Sequence, residues 1–116
     1  MTAFRLISLG LHGAFELMLG LALMAAPFVL AFGPAATVAA VAVGALIVGL
    51  ALAAATMDEG GSVAAHHAFD WGAVLGLAGA GILFALVGEV AAGTTFVAVA
   101  LAQTLLSLTT RYSLAH

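Results

Sequence analysis

The sequence predicts an all-α, polytopic membrane protein with four transmembrane helices arranged as two tandem helical hairpins. Three observations carry this reading. Hydrophobic residues make up 66% of the 116 positions and charged residues 6%, with a mean hydropathy of +1.31. A soluble domain carries about a quarter charged residues. So little charge cannot furnish a surface that water accepts, so the solvent is lipid. Apolar stretches run over about 6–32, 35–56, 63–87 and 91–109. Each supplies the roughly 20 residues that cross a ~30 Å hydrocarbon layer as a helix. Finally, the pentapeptide HGAFE at 12–16 returns as HHAFD at 66–70.

Helix 1 begins beside Arg5, and its ALMAAP segment has the small residues of a signal-peptide cleavage point. His12 and Glu16 interrupt the apolar run, and the segment has a later counterpart, so it is expected to be retained. Pro27 sits near its end, at a kink or in a frayed last turn. Gly33 and Pro34 punctuate the passage to helix 2. The stretch MDEGGS at 57–62 separates the hairpins, with Ser62 expected to cap helix 3 and Asp58 and Glu59 solvated nearby. GEVAAG at 88–93 makes the last turn, where Glu89 is expected to be solvated. Helix 4 carries Gln103, Thr104 and Ser107, which are expected to bond across helices at about 1 kcal/mol or less each. Helices are the default because hydrocarbon leaves no other partner for backbone N–H and C=O groups. A membrane barrel would show period-2 alternation, which is absent.

An ungapped shift of 54 positions superposes much of the chain on itself. Ser8 meets Ser62, His12 meets His66, Phe15 meets Phe69, Glu16 meets Asp70 and Pro27 meets Gly81. Val43 meets Val97, Leu52 meets Leu106 and Thr56 meets Thr110. One transmembrane domain over 1–116 is expected, with repeat 1 at about 4–57 and repeat 2 at about 58–111. Each repeat has an even number of spans, so both enter from the same side and are related by an axis along the membrane normal. The termini, the central loop, Arg5 and Arg111 then share one side, which the positive-inside rule makes cytoplasmic.

The first repeat contains Leu19, Gly20, Leu21, Ala22 and Leu23, then Ala26, Pro27, Phe28, Val29 and Leu30, then Val43, Gly44, Ala45, Leu46, Ile47, Val48 and Gly49. This pattern resembles the SPW-repeat family of small bacterial integral membrane proteins over about 15–53. Ala26, Pro27 and Phe28 stand where that family has Ser-Pro-Trp, and Ala80, Gly81 and Ile82 lack both proline and aromatic. The resemblance implies two-helix membrane repeats and a bacterial inner membrane. It implies no defined reaction.

His12 with Glu16, and His66 with Asp70, are spaced i, i+4, which places each pair on one helix face. The two pairs lie at one depth and are expected to face each other between helices 1 and 3. The leading expectation is structural, an interhelical polar contact in a small accessory membrane subunit that is not an enzyme and carries no cofactor. The alternatives are a metal site on His12, Glu16, His66 and Asp70, a haem held by two imidazoles, or a proton-carrying chain. Gly72, Gly76, Gly79 and Ala80 form a small-residue stripe expected to pack against another helix of the bundle, with a homo-oligomer or larger membrane complex as the alternative. Two basic residues cannot build a nucleic-acid surface, and no cysteine is present for disulfide or thiolate chemistry. No nucleophile–base pair, phosphate loop or zinc motif is visible.

Overall fold

Ser8 opens the first helix by accepting a hydrogen bond from the Leu11 backbone N–H at 3.2 Å, as an N-cap serine does. From there the computed structural model, which describes residues 6–55 and 61–112, is a bundle of four helices. They are α1 (Leu9–Val29), α2 (Pro34–Ala55), α3 (Gly61–Leu86) and α4 (Val90–Thr109). All four are long and apolar enough to cross a membrane. Large apolar side chains such as Phe15, Met18, Leu46, Leu75 and Leu101 point outward on every helix. A water-facing surface does not carry so continuous an apolar belt, which places the bundle in a bilayer. Arg5, Asp58, Glu59 and His116 lie outside the described residues, as does the side chain of Ser62.

Both hairpin turns use the same device. The helix ends with a residue in the left-handed region, and the next N–H reaches back to the carbonyl five residues earlier. In the first turn Ala31 has φ 56° and Phe32 N–H donates to Pro27 O at 3.0 Å. In the second, Gly88 has φ 90° and Glu89 N–H donates to Phe84 O at 2.8 Å. Pro27 therefore belongs to the last turn of α1. Pro34 occupies the first position of α2, where its missing N–H would have no helical partner anyway. Glu89 is not simply solvated as expected. Its carboxylate accepts from Gly33 N–H at 2.8 Å and ties the two turns together. Gly33 has a free donor there because it precedes a helix whose first turn leaves N–H groups unpaired.

Within each hairpin the helices approach closely at a glycine pair. An added Cβ on Gly20 would lie 2.8 Å from Val48 Cγ2 and 2.9 Å from Gly44 O, and one on Gly44 would lie 2.8 Å from Gly20 O. Gly81 and Gly93 are paired in the same way between α3 and α4, at 3.0 and 2.8 Å from each other's carbonyls. The expected stripe on helix 3 is corrected by this arrangement. Gly72, Gly76 and Gly79 are exposed, with no atom within 4 Å of an added Cβ, and Ala80 is only partly buried. The face of a helix is set by all its side chains, and here the large buried residues Leu77 and Asp70 turn those glycines outward. Around the bundle, α1 also packs on α4 and α2 packs on α3.

Burial follows the 54-residue spacing in the first helix of each hairpin. Leu9, His12, Glu16, Leu23 and Pro27 are buried in α1, and Val63, His66, Asp70, Leu77 and Gly81 are buried in α3. The second helices are shifted by two further positions. Ala36, Ala40, Gly44, Ile47, Ala51 and Ala54 of α2 correspond in burial to Ala92, Phe96, Ala100, Gln103, Ser107 and Thr110 in and just after α4. The ungapped match of Leu52 to Leu106 is thus corrected, since Leu52 is exposed and Leu106 buried. The reason lies in the turns: α3 runs three residues past the point equivalent to the end of α1, and its turn is one residue shorter.

Two outcomes test these assignments by thermal or denaturant unfolding in detergent. Gly20→Leu should destabilise the protein by about 2–3 kcal/mol because the clash is with backbone, whereas Gly76→Leu should leave the midpoint unchanged. Ala31→Gly should stabilise by about 0.5–1 kcal/mol, since a left-handed alanine is strained and this one is exposed.

Candidate metal centre

The two pentapeptides meet. His12 and Glu16 from α1 and His66 and Asp70 from α3 are all buried, and one ligand atom from each lies within 4.8 Å of every other. The shortest contacts run between helices: His12 Nε2 to Asp70 Oδ2 is 2.9 Å, and His66 Nε2 to Glu16 Oε1 is 3.0 Å. The contacts within each helix are longer, 3.5 Å from His12 Nε2 to Glu16 Oε2 and 3.3 Å from His66 Nε2 to Asp70 Oδ1. Histidines and carboxylates therefore alternate around a ring. The i, i+4 spacing supplies one edge on each helix, and the side chains reaching between α1 and α3 supply the others.

Three further residues complete the site. Gln103 is completely buried on α4 and donates from Nε2 to Glu16 Oε2 at 2.8 Å. Thr110 lies just after α4, where Ile7 N–H donates to Thr109 O at 2.9 Å and Arg111 N–H donates to Ile7 O at 2.8 Å. That short parallel bridge holds the segment after α4 against the segment before α1. It sets Thr110 Oγ1 2.7 Å from His12 Nδ1 and Tyr112 Oη 2.5 Å from Asp70 Oδ2. Tyr112 also packs edge-on against His67, with ring centroids 4.1 Å apart. Gln103 was singled out in the sequence only as a weak interhelical donor. Thr110 and Tyr112 carried no signal, because their roles depend on the terminal bridge. Thr104 bonds only the Ala100 carbonyl of its own helix, at 2.7 Å, while Ser107 is buried on the same face as Gln103.

Hydrogen-bond accounting fixes the His12 tautomer. The Thr110 hydroxyl donates to Leu106 O at 2.6 Å, so its oxygen accepts from His12, and Nδ1 carries the proton. In the neutral ring Nε2 then presents its lone pair to the cluster. This is the orientation of a metal-ligating imidazole, whose other nitrogen donates to an outer acceptor. His12 Nε2 and Asp70 Oδ1 are buried and close to their neighbours, yet neither is aligned for a hydrogen bond.

Among the described residues, buried polar side chains sit only in the half of the bundle that carries Ile7 and Thr110. Toward the turns the core is Leu23, Ala40, Ile47, Leu77, Phe96, Val99 and Ala100. Among the described residues no polar series continues across the bundle.

Fold and cluster together define a membrane-embedded helical bundle with a buried histidine–carboxylate centre. No family model, curated protein or solved structure matches this chain.

Removal of one member should unbalance the rest. Glu16→Ala strands His66 and Gln103 in the core and should cost about 3–5 kcal/mol, read as a lowered unfolding midpoint in detergent. Tyr112 gives a pH signature. Burial, with the Asp70 carboxylate beside it, raises the phenol above its ordinary range. The folded phenol stays protonated while the unfolded one ionises above about pH 10. The contribution of Tyr112 to stability should therefore be constant below that pH and fall as pH rises beyond it. Tyr112→Phe should flatten this alkaline limb in unfolding curves taken across pH.

Proposed function

We propose that this is a small, non-enzymatic integral membrane protein of two duplicated hairpins, and that it binds one divalent transition-metal ion through His12, Glu16, His66 and Asp70. The observation that carries the reading is the spacing of the four ligand atoms. One atom from each residue can be chosen so that all four lie within 4.8 Å of one another, close enough for small side-chain adjustments to bring them onto one ion at bonds of about 2.0–2.1 Å. Charge supports it as well. Two carboxylates and two neutral imidazoles around a divalent cation sum to zero, which suits a site surrounded by hydrocarbon. The SPW-repeat resemblance, the bacterial inner membrane and the cytoplasmic placement of the ends remain part of this proposal.

The other chemistries fit less well. A haem would need its macrocycle between the two imidazoles, but the ring centroids of His12 and His66 are 5.6 Å apart, and both carboxylates contact the inner nitrogens. A proton or ion path would need polar groups continuing toward the turns, where the described core is apolar. A purely structural role is favoured by the direct His66–Glu16 and Gln103–Glu16 hydrogen bonds, which hold without an ion.

Elemental analysis separates the two surviving readings. Purified protein, stripped with chelator and dialysed against zinc, should retain one equivalent per chain. His66→Ala should lose it, and binding should weaken as pH falls, because protons compete for the same atoms. Wild-type protein that retains no zinc, or a His66→Ala variant that retains it fully, would leave only the structural reading.

A further inference from the structure

Each carboxylate of the cluster is gripped from outside by a neutral donor. Gln103 Nε2 holds Glu16 Oε2 at 2.8 Å, and Tyr112 Oη holds Asp70 Oδ2 at 2.5 Å. The other oxygens, Glu16 Oε1 and Asp70 Oδ1, have no such outer donor and lie 3.0 and 3.3 Å from His66 Nε2. Bidentate chelation by Glu16 would draw Oε2 away from Gln103. That amide is completely buried, and its Oε1 already lacks a partner. A buried donor left unpaired is strongly unfavourable. The same holds for Tyr112, whose hydroxyl donates to Asp70 Oδ2 and would lose that acceptor.

We propose that Gln103 and Tyr112 are positioning residues that restrict both carboxylates to one ligand oxygen each, so that the centre selects four-coordinate ions such as Zn2+ and Co2+ over five- and six-coordinate ones such as Mn2+. This inference rests on the metal-binding reading above. Two imidazole nitrogens and two single oxygens make a tetrahedral set. Two chelating carboxylates would give six donors, the count that harder ions require. The donors reach the two acids by unrelated routes. Gln103 projects from α4, whereas Tyr112 is delivered by the bridge between Ile7 and Thr110. The position of α2 that matches Gln103 in burial is Ile47, so nothing in the first hairpin duplicates this grip.

Cobalt is the probe, because tetrahedral Co2+ absorbs intensely in the visible and six-coordinate Co2+ only weakly. Chelator-stripped full-length protein in detergent is titrated with Co2+, then challenged with Mn2+. The wild type should give the intense spectrum and resist Mn2+. Gln103→Met and Tyr112→Phe should still bind Co2+, with weaker absorption and easier displacement by Mn2+. A purely structural role for either residue would lower stability without changing the spectrum of the bound ion. Helical circular dichroism checks each variant; if one unfolds, the other carries the comparison. A weak, six-coordinate wild-type spectrum overturns the inference while leaving metal binding intact, as do variants with the wild-type spectrum and selectivity. Failure of the wild type to take up Co2+ at all removes the metal reading and this inference with it.

Discussion

A carboxylate in hydrocarbon must be matched or neutralised, and Glu16 and Asp70 are both completely buried. Much of the organisation at the chain-end half of the bundle follows from that constraint. Two imidazoles face the acids across the α1–α3 gap, an amide reaches in from α4, and a phenol closes over Asp70 from the segment beyond it. The short bridge between Ile7 and Thr110 is part of the same solution, because it fixes the residues that touch His12 and Asp70. The half nearer the turns has no such demand. It is packed with Leu23, Ile47, Leu77 and Phe96 and needs only shape.

The glycine pairs divide the two hairpins unequally between these tasks. Gly20 lies one helical turn beyond Glu16, so α1 and α2 come closest right beside the polar centre. Gly81 and Gly93 meet near the second turn, well away from Asp70. The larger side chains Gln103 and Ser107 occupy the α4 face beside the cluster, where α2 offers Ile47 and Ala51. The histidines and acids are arranged with near two-fold symmetry, while the residues supporting them come from one side.

The four spans were legible because hydrocarbon imposes length and apolarity on every segment that crosses it, and these depend on local sequence alone. The pairing of His12, Glu16, His66 and Asp70 was legible because rare residues recurred at one spacing. The packing glycines were not. Gly72, Gly76 and Ala80 carry the small-residue spacing with Gly79 beside it, but which face turns inward depends on Asp70 and Leu77 as well. Gly20 packs without such a pattern, since the residues four positions away are Glu16 and Met24. The register of α2 against α4 was also hidden, since a two-residue difference is absorbed in the turns and Ala/Leu/Val matches are too common to reveal it. Glu89 gave no sign of binding Gly33, because a carboxylate in a loop reads as solvated until its partner is known. Tyr112 and Thr110 belong to the site only through backbone pairing at the ends.

That terminal pairing bears on how the protein is made. Translation delivers His12 and Glu16 to the membrane first, yet the partners of Glu16 lie 50 and 87 residues downstream, and Thr110 lies 98 residues after His12. The nascent first hairpin therefore carries His12 and Glu16 with only each other until the second hairpin is made. The segment that carries Thr110 and Tyr112 then closes over the centre. Assembly of this centre thus waits for the second hairpin, and a chain lacking the segment just after α4 would place four spans in the bilayer around an unfinished core.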